Sequence, residues 1–236
     1  MLYIIGLGLN IDGISKYGLE IVKRCKRVYL ENYTVDFPYT AGELQDVLEK
    51  KIILADREKV ESLELIDEAK KMDIALLVYG SPLTATTHIT LIQEAKASKI
   101  KCKVIYAASV FDAVAETGLQ LYKFGKITSM PKWTKSFTPD SFMKTIQENM
   151  SMKAHSLILI DIGLDLDKAI EQLKIAAKKH KIPLKKLLVC SNIGTKYREI
   201  IYRDIEELED AKIRKPYCII IPSKLHFVEL ETLSFL

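Results

Sequence analysis

A chain of 236 residues, 48% hydrophobic and 28% charged, is typical of a soluble globular protein with one large core or two moderate ones. Its apolar runs are too short to cross a bilayer, and no basic segment or cleavage site marks a signal peptide, so we expect a cytoplasmic protein without membrane attachment. A net charge of +4 is too small to indicate direct nucleic-acid binding.

In the first half of the chain, strand and helix patterns alternate. Strands are predicted at 2–9, 27–31, 52–54, 74–79 and 102–106, the third of them short and buried. Helical spacing of apolar residues predicts helices near 14–22 and 41–50, one long helix at 56–72 with Asp56 as its N-cap, and a helix at 87–97. This alternation favours an open, mostly parallel α/β sheet.

After residue 108 the pattern changes. Helices are predicted at 110–121, 141–150 and 166–180, and strands at 156–162, 187–191, 199–205, 217–221 and 227–233. Several late strands are too close together for a crossover helix, which indicates antiparallel pairing. We therefore predict an N-terminal α/β domain at 1–108 and a C-terminal α/β domain with a mixed sheet at 109–236.

The cysteines and histidines are dispersed. The four cysteines form no paired motif, and the four histidines form no ligand cluster, so we predict no metal site. Scattered cysteines also favour a reducing compartment. The densest basic patch, at 178–181, is interpreted as a solvated helix end, with docking of an acidic or RNA-bound partner as the alternative.

The first candidate site is the glycine turn after the first strand. Gly6 and Gly8 begin a dinucleotide-binding fingerprint, but Ile11 stands at the third glycine position. Glu31 ends the second strand, where a ribose-binding carboxylate lies in a Rossmann fold. An NAD-dependent oxidoreductase is therefore one alternative, and a purely structural turn is the favoured interpretation.

The second candidate is the loop G-S-P-L-T-A-T-T-H at 80–88, after a buried strand. Ligands of open α/β sheets bind at the carboxyl ends of strands, which favours a pocket here. The same hydroxyl groups also suit helix capping by Thr86 or Thr87. His88 adjoins the proposed pocket.

Two further segments carry polar side chains between predicted elements. The small residues before Ser109 allow a backbone to approach a ligand, although Ser109 also suits a helix cap. The segment P-S-K-L-H at 222–226 is predicted as a hairpin turn between two strands, whose Lys224 and His226 are candidates to face a substrate.

Five segments together resemble the diphthine synthase branch of the tetrapyrrole methylase superfamily. They occur in the same order from residue 1 to about residue 230: I-G-L-G-L at 5–9, G-S-P-L-T-A-T-T-H at 80–88, A-A-S-V-F-D-A-V at 107–114, G-L-Q-L-Y-K-F-G-K at 118–126 and P-S-K-L-H at 222–226. No single motif is decisive, whereas five in register are specific.

The resemblance implies a homodimer of two-domain subunits that bind S-adenosylmethionine in the cleft between domains. It implies methylation of the aminocarboxypropyl-histidine of translation elongation factor 2. The positions that it assigns to the cofactor are mostly apolar or small: Leu9, Ser81, Thr84, Ser109, Val110, Ile160, Ile193 and Tyr217. We hypothesise that His88, Lys224 and His226 lie on the acceptor side, and the sequence marks no indispensable catalytic residue.

The chain departs from the family pattern in three places. Ser81 stands where family members usually have Asp, and the segment S-N-I-G at 191–194 replaces an R-A-G-like sequence. We also expect the chain to lack a terminal extension seen in relatives. Ser81 leaves open the alternative of a homologue that binds the cofactor without turnover. A methyltransferase acting on a tetrapyrrole or corrin precursor is a further alternative, against which the diphthine-like motifs argue.

Overall fold

The computed structural model describes all 236 residues, which form two compact units, Met1–Phe111 and Asp112–Leu236. The domain boundary between residues 108 and 109 remains a prediction. None of the helices has the length and apolar character needed to span a membrane.

Unit 1 is built on a five-stranded sheet in which every pair is parallel. Its strands are β1 (Leu2–Gly6), β2 (Arg27–Glu31), β3 (Ile53–Ala55), β4 (Ile74–Val78) and β5 (Cys102–Ile105). The strand order is β3-β2-β4-β1-β5, so β4 and β1 are central. All five residues of β4 are buried because helices cover both faces of the sheet.

Helices form a layer on each face of this sheet. They are α1 (Lys16–Arg24), α2 (Ala41–Leu48), α3 (Arg57–Glu61), α4 (Glu64–Lys71) and α5 (Ile89–Ala97). The first two pack in one apolar cluster with alternate strand residues such as Val28 and Leu30. The last three pack in a second cluster on the other face with residues such as Tyr29 and Val78.

The predicted long helix at 56–72 is wrong, because the helix is interrupted at Ser62. The hydroxyl of Ser62 donates to Lys59 O at 3.2 Å and accepts from Glu64 N at 3.3 Å. These bonds replace helical ones and separate α3 from α4. Asp56 is confirmed as the N-cap of α3, since its carboxylate accepts from Lys59 N at 2.8 Å.

Two smaller predictions in unit 1 are also wrong. Ile53 and Leu54 are 39% and 55% exposed, because β3 is an edge strand and not a buried one. Thr86 and Thr87 do not cap α5, whose N-cap residue is His88 without a side-chain capping bond. The Thr86 hydroxyl donates instead to Pro82 O at 2.7 Å within the loop.

The predicted helix at 110–121 is reduced to short turns. It consists of α6 (Val110–Ala113) followed by a 3-10 turn at Val114–Thr117. Gly118 ends this turn with a φ of +81°, and a second 3-10 turn covers Leu121–Lys123. A left-handed residue at that point stops the helix, as glycine commonly does.

Unit 2 contains a mixed five-stranded sheet, as predicted. Its strands are β6 (Thr128–Met130), β7 (Ser156–Ile160), β8 (Lys186–Ser191), β9 (Glu199–Asp204) and β10 (Tyr217–Ile221), in the order β6-β7-β10-β8-β9. Only β6 and β7 pair in parallel, and the other three pairs are antiparallel. The helices α7 (Ser141–Ser151) and α8 (Leu166–His180) pack their apolar faces in its core.

The last predicted strand is a helix, α9 (Phe227–Leu233). His226 and Glu229 form a capping box at its start, in which the His226 side chain accepts from the helix backbone and Glu229 accepts from the His226 amide. This capping favours a helix over an extended strand. Residues 222–226 therefore connect a strand to a helix, and the predicted hairpin turn is wrong.

Candidate functional site: the carboxyl edge of the parallel sheet

Three loops meet at the carboxyl edge of the unit 1 sheet. They follow β1, β4 and β5, which are neighbours, so parallel pairing places all three loops at the same edge. Such an edge is the usual ligand-binding position of open α/β sheets.

The loops after β1 and β4 are joined through glycine backbone. Gly8 N donates to Gly80 O at 3.2 Å, and Gly80 N donates to Gly8 O at 2.9 Å. At Gly6, an added Cβ would lie 2.6 Å from Gly80 O and 3.0 Å from Pro82 Cδ and Ala107 Cβ. Atoms of all three loops therefore leave no room for a side chain at Gly6, which explains why glycine is required at this position.

The loop at 80–88 folds around one carbonyl. Pro82 O accepts from the Thr86 hydroxyl and lies 3.0 Å from His88 Nδ1, so His88 Nδ1 must carry the proton of that contact. His88 is only 1% exposed, and its Nε2 has no hydrogen-bond partner. His88 is thus a buried residue of unit 1 that stabilises the loop at 80–88 through this hydrogen bond.

The cofactor positions predicted in unit 1 all lie on these loops. Leu9 is buried after β1, and its carbonyl accepts from the Tyr79 hydroxyl at 2.9 Å. Ser81 O accepts from Thr84 N at 3.1 Å, which forms a tight turn directly after Gly80. Ser109 and Val110 follow β5, and the Ser109 hydroxyl accepts from Phe111 N at 3.2 Å.

Glu31 ends β2 at the same edge but faces the protein interior. It is fully buried; Oε1 accepts from Tyr33 N at 3.4 Å, and Oε2 has no partner. Burial, with the Glu31 charge as the next cause, raises the pKa of Tyr33 to about 12. The phenol of Tyr33 is therefore neutral and able to donate.

Unit 2 holds the remaining predicted cofactor positions. Ile160 ends β7, Ile193 is buried in the turn after β8, and Tyr217 begins β10 with its hydroxyl 3.1 Å from Leu164 O. The departing segment at 191–194 is a hydrogen-bonded turn, in which Asn192 Nδ2 donates to Lys215 O at 3.1 Å. Its side chains satisfy backbone groups within unit 2.

The acceptor-side candidates Lys224 and His226 also belong to unit 2. Both are exposed and lie on the segment between β10 and α9. Sequence reasoning missed the residues that hold this segment: His155 and Glu229 are fully buried and in contact with each other, and Glu229 also pairs with Lys123. The burial of two titratable side chains is not visible in local sequence patterns.

No three side chains of the His, Cys, Asp and Glu types are grouped as a metal would require, and all four cysteines are free. The hydrogen-bonding groups at the sheet edge are backbone amides as donors, backbone carbonyls as acceptors, and hydroxyl groups that can do either. Such a set suits a neutral or weakly charged organic ligand that is held by hydrogen bonds.

The sequence and the fold both match known proteins. The family described as Tetrapyrrole (Corrin/Porphyrin) Methylases matches residues 1–209. A diphthine synthase of Methanocaldococcus jannaschii is 37% identical, over 100% of this chain and 98% of the relative. A diphthine methyl ester synthase of Saccharomyces cerevisiae is 46% identical, over 69% of this chain and 55% of the relative.

A solved structure shows the same architecture. The crystal structure of a diphthine synthase superimposes with a TM-score of 0.91 at 30% identity, covering 99% of this chain and 94% of that chain. The chain belongs to the tetrapyrrole methylase family and, within it, to the diphthine synthases, which are methyltransferases of diphthamide biosynthesis.

Proposed function

We propose that the protein transfers methyl groups from S-adenosylmethionine to the aminocarboxypropyl-histidine of translation elongation factor 2. The observation that carries this proposal is the meeting of three loops at Gly6 and Gly80, in a chain that matches diphthine synthases from end to end. The relatives' names supply the substrate class, and the edge of the sheet supplies a fitting site.

The residues at this edge fit a nucleoside cofactor. Gly80 has a φ of +69°, and an added Cβ would lie 3.8 Å from both Ala108 O and Ser109 Cα, so the loops after β4 and β5 lie close together without side chains between them. We propose that backbone groups here, with the hydroxyls of Ser81, Thr84 and Ser109, hold the cofactor. Leu9 and Val110 would supply apolar contact.

Ile160, Ile193 and Tyr217 complete the proposed cofactor contacts. Ile193 and Tyr217 are buried in unit 2, and Ile160 is half-buried. Their apolar surfaces suit an adenine ring or a thioether, neither of which demands a charged partner.

When bound, S-adenosylmethionine supplies a methyl group on a positively charged sulfur. The protein contributes alignment of acceptor, methyl and sulfur, since positioning provides much of the acceleration of such displacements. The acceptor amine must be neutral to attack, and a site with few charged groups lowers the pKa of an amine by desolvation. This accounts for a site without an evident general base.

The acceptor side is proposed to include Lys224 and His226, whose exposed side chains suit contact with a carboxylate or with a protein surface. His88 is proposed to act through its bond to Pro82 O, which holds the loop at 80–88, because its burial leaves little surface for direct contact. A homodimer in the cytoplasm, without membrane or direct nucleic-acid contact, completes the proposal.

Calorimetric titration tests the cofactor assignment. We expect S-adenosylmethionine and S-adenosylhomocysteine to bind, and NAD not to bind. Thr84→Val should weaken binding, whereas Thr90→Val, an exposed threonine in α5, should not. Binding of NAD alone would contradict the proposal, and binding of the sulfur cofactors without any methyl transfer would favour a homologue that has lost turnover.

A further inference from the structure

Three side chains from distant parts of unit 2 form one buried ionic network. Glu229 in α9 is paired with the Lys123 ammonium and lies 3.1 Å from His155 Nε2. His155 and Glu229 are fully buried, and the Lys123 side chain is 21% exposed. We call Lys123, His155 and Glu229 the anchor triad.

Both oxygens of Glu229 are occupied. Oε1 accepts from Gln120 N at 3.0 Å and from His155, and Oε2 accepts from His226 N at 2.7 Å and from Lys123. Burial alone would raise the pKa of Glu229, but these donors outweigh it and lower the pKa to about 2. Glu229 is therefore a fixed negative charge at physiological pH.

The protonation of His155 follows from its partners. Ser223 N lies 2.9 Å from His155 Nδ1, and an amide can only donate, so Nδ1 is unprotonated. Nε2 then carries the hydrogen and donates to the Glu229 carboxylate. Burial lowers the pKa of His155 despite the opposing effect of Glu229, which keeps this neutral tautomer in place.

Each member of the anchor triad holds a different backbone group of the segment at 222–226. His155 accepts from Ser223 N at 2.9 Å, Lys123 donates to Lys224 O at 2.9 Å, and Glu229 accepts from His226 N at 2.7 Å. The backbone is thus fixed from the inside at three points.

Two side chains of this segment, Lys224 and His226, are exposed. Neither the Lys224 ammonium nor the Nε2 of His226 bonds to another side chain, while the Nδ1 of His226 accepts from Val228 N in the cap of α9. The backbone of the segment is therefore fixed at three points while an ammonium group and one imidazole nitrogen stay accessible at the surface.

We propose that the anchor triad is a set of positioning residues that hold the segment at 222–226 in the conformation that binds the acceptor substrate. The inference rests on the proposed function, because it assigns this segment to the acceptor. The triad does not itself touch the substrate. Loosening it should weaken acceptor binding and leave the cofactor affinity and kcat nearly unchanged.

The test compares two replacements of His155 in the full-length protein. His155→Asn keeps an oxygen near the Nδ1 position that accepts from Ser223 N, whereas His155→Gln moves the amide group beyond it. We expect His155→Gln to raise the KM for elongation factor 2 by about tenfold, because one well-placed hydrogen bond is lost. The KM of His155→Asn should stay close to that of the parent protein. Amide exchange at residue 223 should accelerate in the Gln variant alone.

A lysine pair supplies the matched control. Lys123→Met removes a member of the triad, and Lys126→Met removes a neighbouring lysine whose partner is Glu148 on the surface. Only the first should raise the KM for elongation factor 2. Both variants should bind S-adenosylmethionine as the parent does, and both should show cooperative unfolding.

Three results would overturn the proposal. One is an unchanged KM in His155→Gln and Lys123→Met despite faster amide exchange, which would make the network purely structural. Another is weaker cofactor binding with an unchanged KM, which would assign the segment to the cofactor. The third is an equal effect of His155→Asn and His155→Gln. If the parent protein methylates nothing, the proposed function fails, and the exchange data still report whether the triad holds the segment.

Discussion

The two candidate regions, one in each unit, are built on opposite physical principles. At the sheet edge of unit 1, Gly6, Gly8 and Gly80 let three loops come close together, because none of these three residues has a side chain. In unit 2, the segment at 222–226 is held by three side chains: the buried Glu229 carboxylate, the buried neutral His155 and the partly exposed Lys123. The first region depends on the absence of side chains, and the second depends on three particular ones.

This difference predicts how each region tolerates change. A backbone-built edge is damaged by added volume and is little affected by charge or pH. A buried ionic network is sensitive to substitutions that leave a charge without its partner. Its contribution to stability also depends on pH. The following predictions test this contrast.

The largest effect is expected for Glu229→Ala. Removing this carboxylate leaves the Lys123 ammonium without its counter-ion, and Gln120 N, His155 Nε2 and His226 N lose their common acceptor. Breaking a buried ionic pair in this way costs about 3–5 kcal/mol. Chemical denaturation should show this loss, and a change below about 1 kcal/mol would mean that water replaces the carboxylate.

A pH-dependent loss of stability should come next. The pKa of Glu229 falls from 4.5 to about 2 on folding, so its contribution is present above about pH 4.5 and is lost as the pH falls towards 2. The difference is worth roughly 3 kcal/mol. His155, with a lowered pKa, adds a loss that begins as the pH falls below about 6.5.

Denaturation midpoints measured across this acid range provide the check. The decline should be shallower in Glu229→Gln, which has no charge to lose. An equal slope in the parent and in Glu229→Gln would show that other carboxylates, such as the Asp140 that pairs with Lys179 and His180, control acid stability.

A smaller effect on stability, of about 1–3 kcal/mol, is expected for Gly6→Ala, because its Cβ would lie 2.6 Å from Gly80 O. Separation of the loops should also weaken cofactor binding by about tenfold or more. The control is Gly42→Ala at an exposed position of α2, where the nearest atom to an added Cβ is 3.8 Å away and alanine should stabilise slightly. Equal effects of the two substitutions would refute a close approach at Gly6.

The smallest effect is expected for Ser81→Asp, which introduces the residue that the family resemblance predicts at this position. A carboxylate beside a positively charged sulfur or a ribose hydroxyl should tighten S-adenosylmethionine binding by about threefold to tenfold. Calorimetry on Ser81→Asp and on the neutral Ser81→Asn separates charge from shape. If both variants bind S-adenosylmethionine with the affinity of the parent protein, Ser81 lies outside the cofactor contacts.

The sequence alone predicted the parallel sheet and the glycine-containing loops at its carboxyl edge, because both depend on patterns of neighbouring residues. The apolar run of β4 ends at a glycine loop, and the bounds of α8 follow from its apolar periodicity. The interruption at Ser62 was missed, since one hydroxyl that bonds backbone on both sides does not disturb the apolar spacing.

The anchor triad was not predictable from local patterns for two reasons. Lys123 and Glu229 are 106 residues apart in the chain, so only the fold brings them together. In α9 the usual burial rule is also reversed, because Glu229 is fully buried while Phe227 is 71% exposed.

The most direct test of the central claim is mass spectrometry of elongation factor 2 that carries the unmethylated aminocarboxypropyl-histidine, after incubation with the protein and S-adenosylmethionine. The account predicts that methyl groups are added to that histidine side chain and to no other residue. Mild base treatment then shows whether one of them is an ester. An unchanged mass, with a folded protein that binds the cofactor, would contradict the account.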